Sequence, residues 1–384
     1  MKRFIAILLA LLTLFLVGCS KTTEQPKETE PEKETTTEYV PTPEEIQIQK
    51  MTIEEKIAQL FFIMPEALDP TLPEDTKVTA ITDTMKNTYK EYPAGGIILF
   101  AKNIETPEQL TKLTSDIHAL NELTPLIGVD EEGGSIARVA KNENFNVTKF
   151  SSMLATKDAD EAYNIGKTIG TYLNQYGFDV DFAPVADVNT NPSNPVIGKR
   201  AFSANPENAA KMVAGAIKGF HDANIMTSIK HFPGHGDTQT DTHKGYAETQ
   251  KTWDEIKNCE MIPFISGIDA GTDMVMVAHI AAPKVTGDGT PATLSYTLIT
   301  EKLRGELNYQ GVVITDGMNM GAIAQQYDAA DAAVKAIQAG VDIILLPENY
   351  IEAYNGVLTA VQNGTITEER IDESVMRILH LKLN

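Results

Sequence analysis

Eight short, largely apolar runs constrain this chain more than any other feature. They are Leu60–Met64, Gly96–Phe100, Leu126–Val129, Val180–Val185, Thr227–His231, Met274–Val277, Val312–Thr315 and Ile343–Leu346. Continuous hydrophobicity over so few residues marks strands covered on both faces, as in parallel sheets; a strand with one wet face would alternate. Amphipathic segments fill the intervals. In TPEQLTKLTSDIHAL, Thr106 is placed to cap a helix and Pro107 suits its first position. Leu110, Leu113, Ile117 and Leu120 then return at helical spacing. DAADAAVKAIQAG reads the same way and stops at Gly340. Eight strands alternating with helices imply an α/β fold, a single (β/α)8 barrel. An open doubly wound sheet is the structural alternative, but no G-x-G-x-x-G follows a strand, which weakens a dinucleotide reading.

The ends of the chain differ from this pattern. Lys2 and Arg3 precede an apolar run from Phe4 to Val17, the layout of a secretory signal and too short for a comfortable membrane span. The run closes on Leu16-Val17-Gly18-Cys19, which resembles the bacterial lipoprotein cleavage box. That resemblance implies a signal peptide over residues 1–18 and a lipid on the thiol of Cys19. It places the protein on the extracellular face of a bacterial cytoplasmic membrane. Only Cys259 would then remain, so no disulfide within the chain is expected. Residues 19–45 are rich in Thr, Glu, Lys and Pro, cannot bury enough apolar surface to order themselves, and read as a tether. The folded domain is expected over residues 46–384. Hydrophobic residues make up 42% of the chain, enough for a substantial core, and the formal net charge of −21 would repel nucleic-acid phosphates. A monomer without nucleic-acid partners is expected.

Ionisable residues collect where the apolar runs stop. Asp130 follows the third run and Asp187 lies beyond the fourth. Lys230 and His231 end the fifth, His279 follows the sixth and Asp316 the seventh. One such residue is usually a helix cap; several in register point to the face of a barrel where strand C-termini build a site. The segment KHFPGHGDTQTDTH, Lys230–His243, is the densest of these clusters. Its composition alone leaves metal ligation by His231, His235, Asp237, Asp241 and His243, acid–base chemistry, and simple loop solvation all open. No H-E-x-x-H is present, and glycines divide the group.

Taken with GVDEEGGSIAR (Gly128–Arg138), FDVDFAPVADVN (Phe178–Asn189), IGKRAFS (Ile197–Ser203) and ITDGMNMGAI (Ile314–Ile323), that segment resembles family 3 glycoside hydrolases, in particular their bacterial N-acetyl-β-glucosaminidase branch. The resemblance covers residue 46 onward. It implies a two-step retaining reaction in which Asp316 is the nucleophile. Many members of the wider family take their proton donor from a glutamate in a further C-terminal domain, which is not expected here. The branch uses a histidine on a loop, paired with an aspartate two residues before it. Asp241-Thr242-His243 matches that pair, with His243 as general acid/base and Asp241 orienting it; the branch usually has serine where Thr242 stands.

By the same resemblance Asp130, Arg138, Arg200, Lys230 and His231 bind substrate, while His235 and Asp237 shape the loop. Lys230 and Arg200 are also expected to keep Asp316 ionised. Neither cofactor nor metal is implied. The expected activity is exo-removal of terminal N-acetylglucosamine from cell-wall saccharides or muropeptides. An imidazole donor carries no negative charge once deprotonated, so phosphate is expected to compete with water as acceptor to some extent. The rivals are another family specificity (β-glucosidase or β-xylosidase), a lipid-anchored sugar-binding protein, and a metal-dependent amidohydrolase.

Overall fold

In a computed structural model of the chain, residues 40–73, 75–240, 242 and 245–384 are described. The signal peptide, Cys19, most of the tether, and the pair Asp241 and His243 lie outside the described residues. The first described helix runs Pro43–Ile48, three residues ahead of the expected domain boundary. Thr42 starts it by accepting the Glu45 amide, while the Glu45 carboxylate accepts the Thr42 amide.

All eight apolar runs form strands. We number them β1 (Phe61–Ile63), β2 (Gly96–Ile98), β3 (Leu126–Val129), β4 (Val180–Asp181), β5 (Met226–Phe232), β6 (Met274–Val277), β7 (Val312–Thr315) and β8 (Ile344–Leu345). Every pairing is parallel and joins neighbours in sequence, and β8 also pairs with β1. A parallel bridge between Ile314 and Ile343 brings β7 to β8, so the sheet closes into the expected (β/α)8 barrel. Strands this short carry polar residues close to both ends of the barrel, which is why charged groups bracket so apolar a core.

Helices alternate with the strands as their patterning requires. The helix Pro107–His118 is capped by the Thr106 hydroxyl on the Gln109 amide and buries Leu110, Leu113 and Ile117 against β3. The helix Ala329–Ala339 is capped by Asp328 and ends where Gly340 turns to φ 112°. Inside the barrel the rings of Phe62 and Phe182 meet edge to face with centroids 6.0 Å apart. The residue of β2 beside them must be glycine: a Cβ on Gly96 would lie 2.2 Å from the Phe62 ring. Filling the centre with two rings rather than leaving a void contributes about 1.5–3 kcal/mol per side chain.

Candidate active site

Alternation along each strand decides which side chains reach the mouth of the barrel. In Asp130-Glu131-Glu132 the first and third residues line a cavity of about 250 Å3 at the strand C-termini. The middle one turns the other way. Glu131 accepts the backbone amides of Arg138, Val139 and Ala140 and the hydroxyl of Tyr172 on the surrounding helix Ala159–Gln175, so it fixes the turn that brings Arg138 round. Lys230 from β5, Asp316 immediately after β7, and Leu345 from β8 complete the rim with His231, Arg138 and Arg200. Every described residue expected to bind or react is therefore on one cavity wall.

The cations and carboxylates of that wall are interlocked. Lys230, only 2% exposed, places its ammonium 2.8 Å from Asp130 Oδ1 and 2.6 Å from Glu132 Oε1. Arg200 donates to both oxygens of Glu132, at 2.8 and 2.7 Å, a two-pronged pair. It also lies 3.2 Å from Nε2 of His231, whose Nδ1 is 2.6 Å from Asp187 Oδ2. Arg138 reaches Asp130 at 3.4 Å and lies over the Phe100 ring, 5.5 Å from its centre. Its Nε is buried without a partner.

Burial works against the charge on Glu132, but Arg200 and Lys230 outweigh it and hold the carboxyl well below the usual range. For Lys230 burial opposes the charge as well, and Asp130 with Glu132 raises its pKa above the ordinary value. Both ions are thus kept by their partners. Glu132 is the cavity residue that motif reading passed over; Asp187 was picked out only by its place after the fourth run. The signal for Glu132 was the two-residue period continuing from Asp130 past the end of the strand.

Asp316 is held rigidly at the end of β7. Its amide donates to Val277 O at 2.8 Å, and its Oδ1 accepts the Gly317 amide at 2.8 Å. His279 lies behind it, with Nε2 2.8 Å from the Gly317 carbonyl and Nδ1 2.9 Å from the Thr293 hydroxyl. Desolvation pushes the Asp316 carboxyl up, yet His279, His231, the Gly317 amide and Lys230 together bring it below the normal carboxylate value. Of the two cations expected to help, Lys230 contributes, while Arg200 is committed to Glu132; the two histidines contribute more than Lys230.

The loop after β5 begins under tight restraint. Asp187 Oδ1 accepts the His235 amide, and Asn194 Nδ2 donates to the carbonyls of His235 and Thr238 at 2.8 and 3.0 Å. A Cβ on Gly236 would fall 1.8 Å from Val188 O, so only glycine allows that approach. His235 lines the cavity itself, whereas Asp237 faces away from it toward Lys251 at 3.7 Å. Among the described residues of the loop, Thr242 returns to the cavity wall.

This arrangement has counterparts. Residues 52–381 match the family described as "Glycosyl hydrolase family 3 N terminal domain". A beta-hexosaminidase A of Pseudoalteromonas piscicida is 35% identical over 333 residues, covering 79% of this chain and 56% of that protein. A beta-hexosaminidase of Hydrogenovibrio crunogenus is 34% identical over 306 residues, 77% of this chain and 84% of that one. Among solved structures, a glycoside hydrolase family 3 beta-N-acetylglucosaminidase from Paenibacillus sp. str. FPU-7 superposes with TM-score 0.80 at 37% identity, over 87% of this chain and 62% of its own. The chain therefore spans less than two thirds of two of these relatives. With nearly the whole barrel matched, the chain belongs to glycosyl hydrolase family 3.

Proposed function

We propose that this protein is a retaining exo-β-N-acetylglucosaminidase that removes terminal N-acetylglucosamine from peptidoglycan-derived saccharides. The observation that carries the reading is Asp316, ionised by its surroundings at the end of β7, opening into a small cavity walled by Asp130, Lys230, Arg200 and His231. About 250 Å3 is at the small end of ligand pockets and suits one sugar ring rather than a threaded chain.

In the first step the Asp316 carboxylate attacks the anomeric carbon. The bond from that carbon to the aglycone oxygen breaks, and His243 in its protonated form gives the departing oxygen a proton. In the second step His243, now neutral, takes a proton from water while the water oxygen bonds to the same carbon and Asp316 leaves as carboxylate. Both groups end as they began. Asp241 orients the imidazole. Support for this donor comes from the chain order Asp241-Thr242-His243, with Thr242 on the cavity wall. Asp130 accepts from ring hydroxyls, and Arg138, Arg200, Lys230 and His231 supply donors. The beta-hexosaminidase and beta-N-acetylglucosaminidase names of the relatives favour the N-acetylated sugar. A lipid on Cys19 would keep the enzyme at the outer face of the membrane; Cys19→Ala should then move it from the membrane fraction to the medium.

The decisive experiment is trapping with the 5-fluoro glycosyl fluoride of N-acetylglucosamine, which keeps the 2-acetamido group, followed by peptide mass analysis. A covalent sugar on the peptide containing Asp316 is expected. A label on another carboxylate, or turnover by Asp316→Ala, would overturn the assignment.

A further inference from the structure

Thr242 is 1% exposed, and groups from two different segments hold it. Its carbonyl accepts the Ala322 amide at 3.2 Å, from the short helix Gly321–Ala324 that follows the nucleophile's loop. Its hydroxyl lies 3.4 Å from Nε2 of His235, on the loop that leaves β5. A long hydrogen bond of this kind is worth little by itself. It matters here because, among the described residues, each group is the other's only partner at that atom, and a buried hydroxyl or ring nitrogen left unmatched is costly.

The tautomer of His235 follows from its other neighbour. The Thr238 hydroxyl donates to the His235 carbonyl at 3.0 Å, so its oxygen is left to accept. It does so from Nδ1 of His235 at 2.6 Å. That puts the ring proton on Nδ1 and leaves Nε2 as an acceptor facing Thr242. Burial, and then the nearby charge of His231, lower the pKa of His235 and keep this neutral form. Asn194, donating to both the His235 and Thr238 carbonyls, fixes the whole turn. His235, which motif reading assigned only to loop shape, is thus a rigid acceptor directed at Thr242.

We propose that His235 and Thr242 are positioning residues for proton transfer: the Thr242 hydroxyl docks on His235 and its carbonyl on Ala322, which ties the residue between Asp241 and His243 to the nucleophile's loop. The proposal rests on the acid/base reading of that pair. Neither residue touches the reacting atoms. Their effect is to limit the conformations open to the residue between the donor and its aspartate, and the branched side chain of threonine, with its restricted χ1, strengthens that effect.

The test compares Thr242→Val, Thr242→Ser, His235→Gln and His243→Ala in the full chain on two substrates. One is N,N′-diacetylchitobiose, whose leaving oxygen needs protonation; the other is the 2,4-dinitrophenyl glycoside, whose leaving group does not. Thr242→Val should lose roughly tenfold in kcat on the disaccharide, part of the ~100- to 10,000-fold that general acid catalysis supplies. It should change less than about twofold on the activated glycoside. Thr242→Ser should restore the disaccharide rate, and His235→Gln should repeat the Thr242→Val pattern. Equal losses on both substrates, or no loss on either, would show a merely structural role and overturn the proposal. If His243→Ala shows the leaving-group split and Thr242→Val does not, positioning alone fails. If His243→Ala shows no split, the acid/base reading falls and the positioning proposal falls with it. A thermal melt of each variant separates misfolding from mispositioning.

Discussion

The two mouths of the barrel use the same material to opposite ends. At the N-terminal mouth a helix-borne basic side chain, an aspartate just before an even-numbered strand and a backbone amide of the preceding strand recur three times. His118 meets Asp179, which accepts the Ile127 amide of β3 at 2.7 Å. His221 meets Asp273, which accepts the Thr227 amide of β5 at 2.7 Å. Arg304 meets Asp342, which accepts the Val313 amide of β7 at 2.9 Å. Asp342 is saturated: Ser374 at 2.6 Å and Arg377 at 3.0 Å take its other oxygen. At the C-terminal mouth Glu132 is just as buried and just as tightly held by Arg200 and Lys230. There, however, the cluster borders a cavity, and Arg138 keeps an unmatched Nε. A buried ion cluster with every valence used is a clasp; a similar cluster with a donor left over beside a void can take a ligand.

The sharpest way to break this comparison is Asp316→Ala. Turnover should fall by at least about ten-thousandfold, as the proposed nucleophile role requires. Stability should change by no more than about 0.5 kcal/mol, because the side chain lies at a strand mouth. Paired kinetic assays and urea melts check both halves. A protein that loses its fold instead would make Asp316 a clasp residue.

The next pair of variants sharpens it. Asp342→Asn and Glu132→Gln each strip one partner from a buried ion cluster, and each should cost about 3–5 kcal/mol. Only Glu132→Gln should raise KM for an N-acetylglucosaminide, since it frees Lys230 and Arg200 to repack beside the sugar. Steady-state kinetics on the folded fraction decide it. A KM shift in Asp342→Asn would show that the mouths are coupled.

The contrast also explains what could be read in the sequence. Most of the eight strands were legible because two-sided burial leaves continuous apolar runs, and the helices at Pro107 and Ala329 because their caps are local. The site was legible as a set of charges at strand ends, with roles supplied by resemblance. Partnership was not legible. Lys230 and Glu132 are 98 positions apart in number, and only barrel closure puts their charges at 2.6 Å. Glu131 and Glu132 are chemically identical neighbours in the sequence; the pleat alone sends one to a turn and the other to the cavity. The tautomer of His235 depends on a hydroxyl whose own proton is already committed, a three-body fact that no spacing encodes.

The smallest expected effect separates clasps of one mouth from each other. Hydrogen bonding to Asp273 raises the pKa of His221 first of all; burial opposes it, and the charges of Asp273 and Asp222 add to it. A pKa raised on folding contributes stability that is complete below the unfolded value of about 6.5 and disappears as pH climbs through the folded value. The His221 side chain is 34% exposed, so solvent screening keeps the contribution small. His221→Gln should therefore melt below the wild type at pH 5.5 and together with it by pH 9. Arg304 fills the equivalent place with a guanidinium, which keeps its charge across that interval. The deficit of Arg304→Gln should accordingly persist at both pH values. Parallel melting curves for the two variants would mean that the histidine clasp acts through packing and hydrogen bonding rather than through charge.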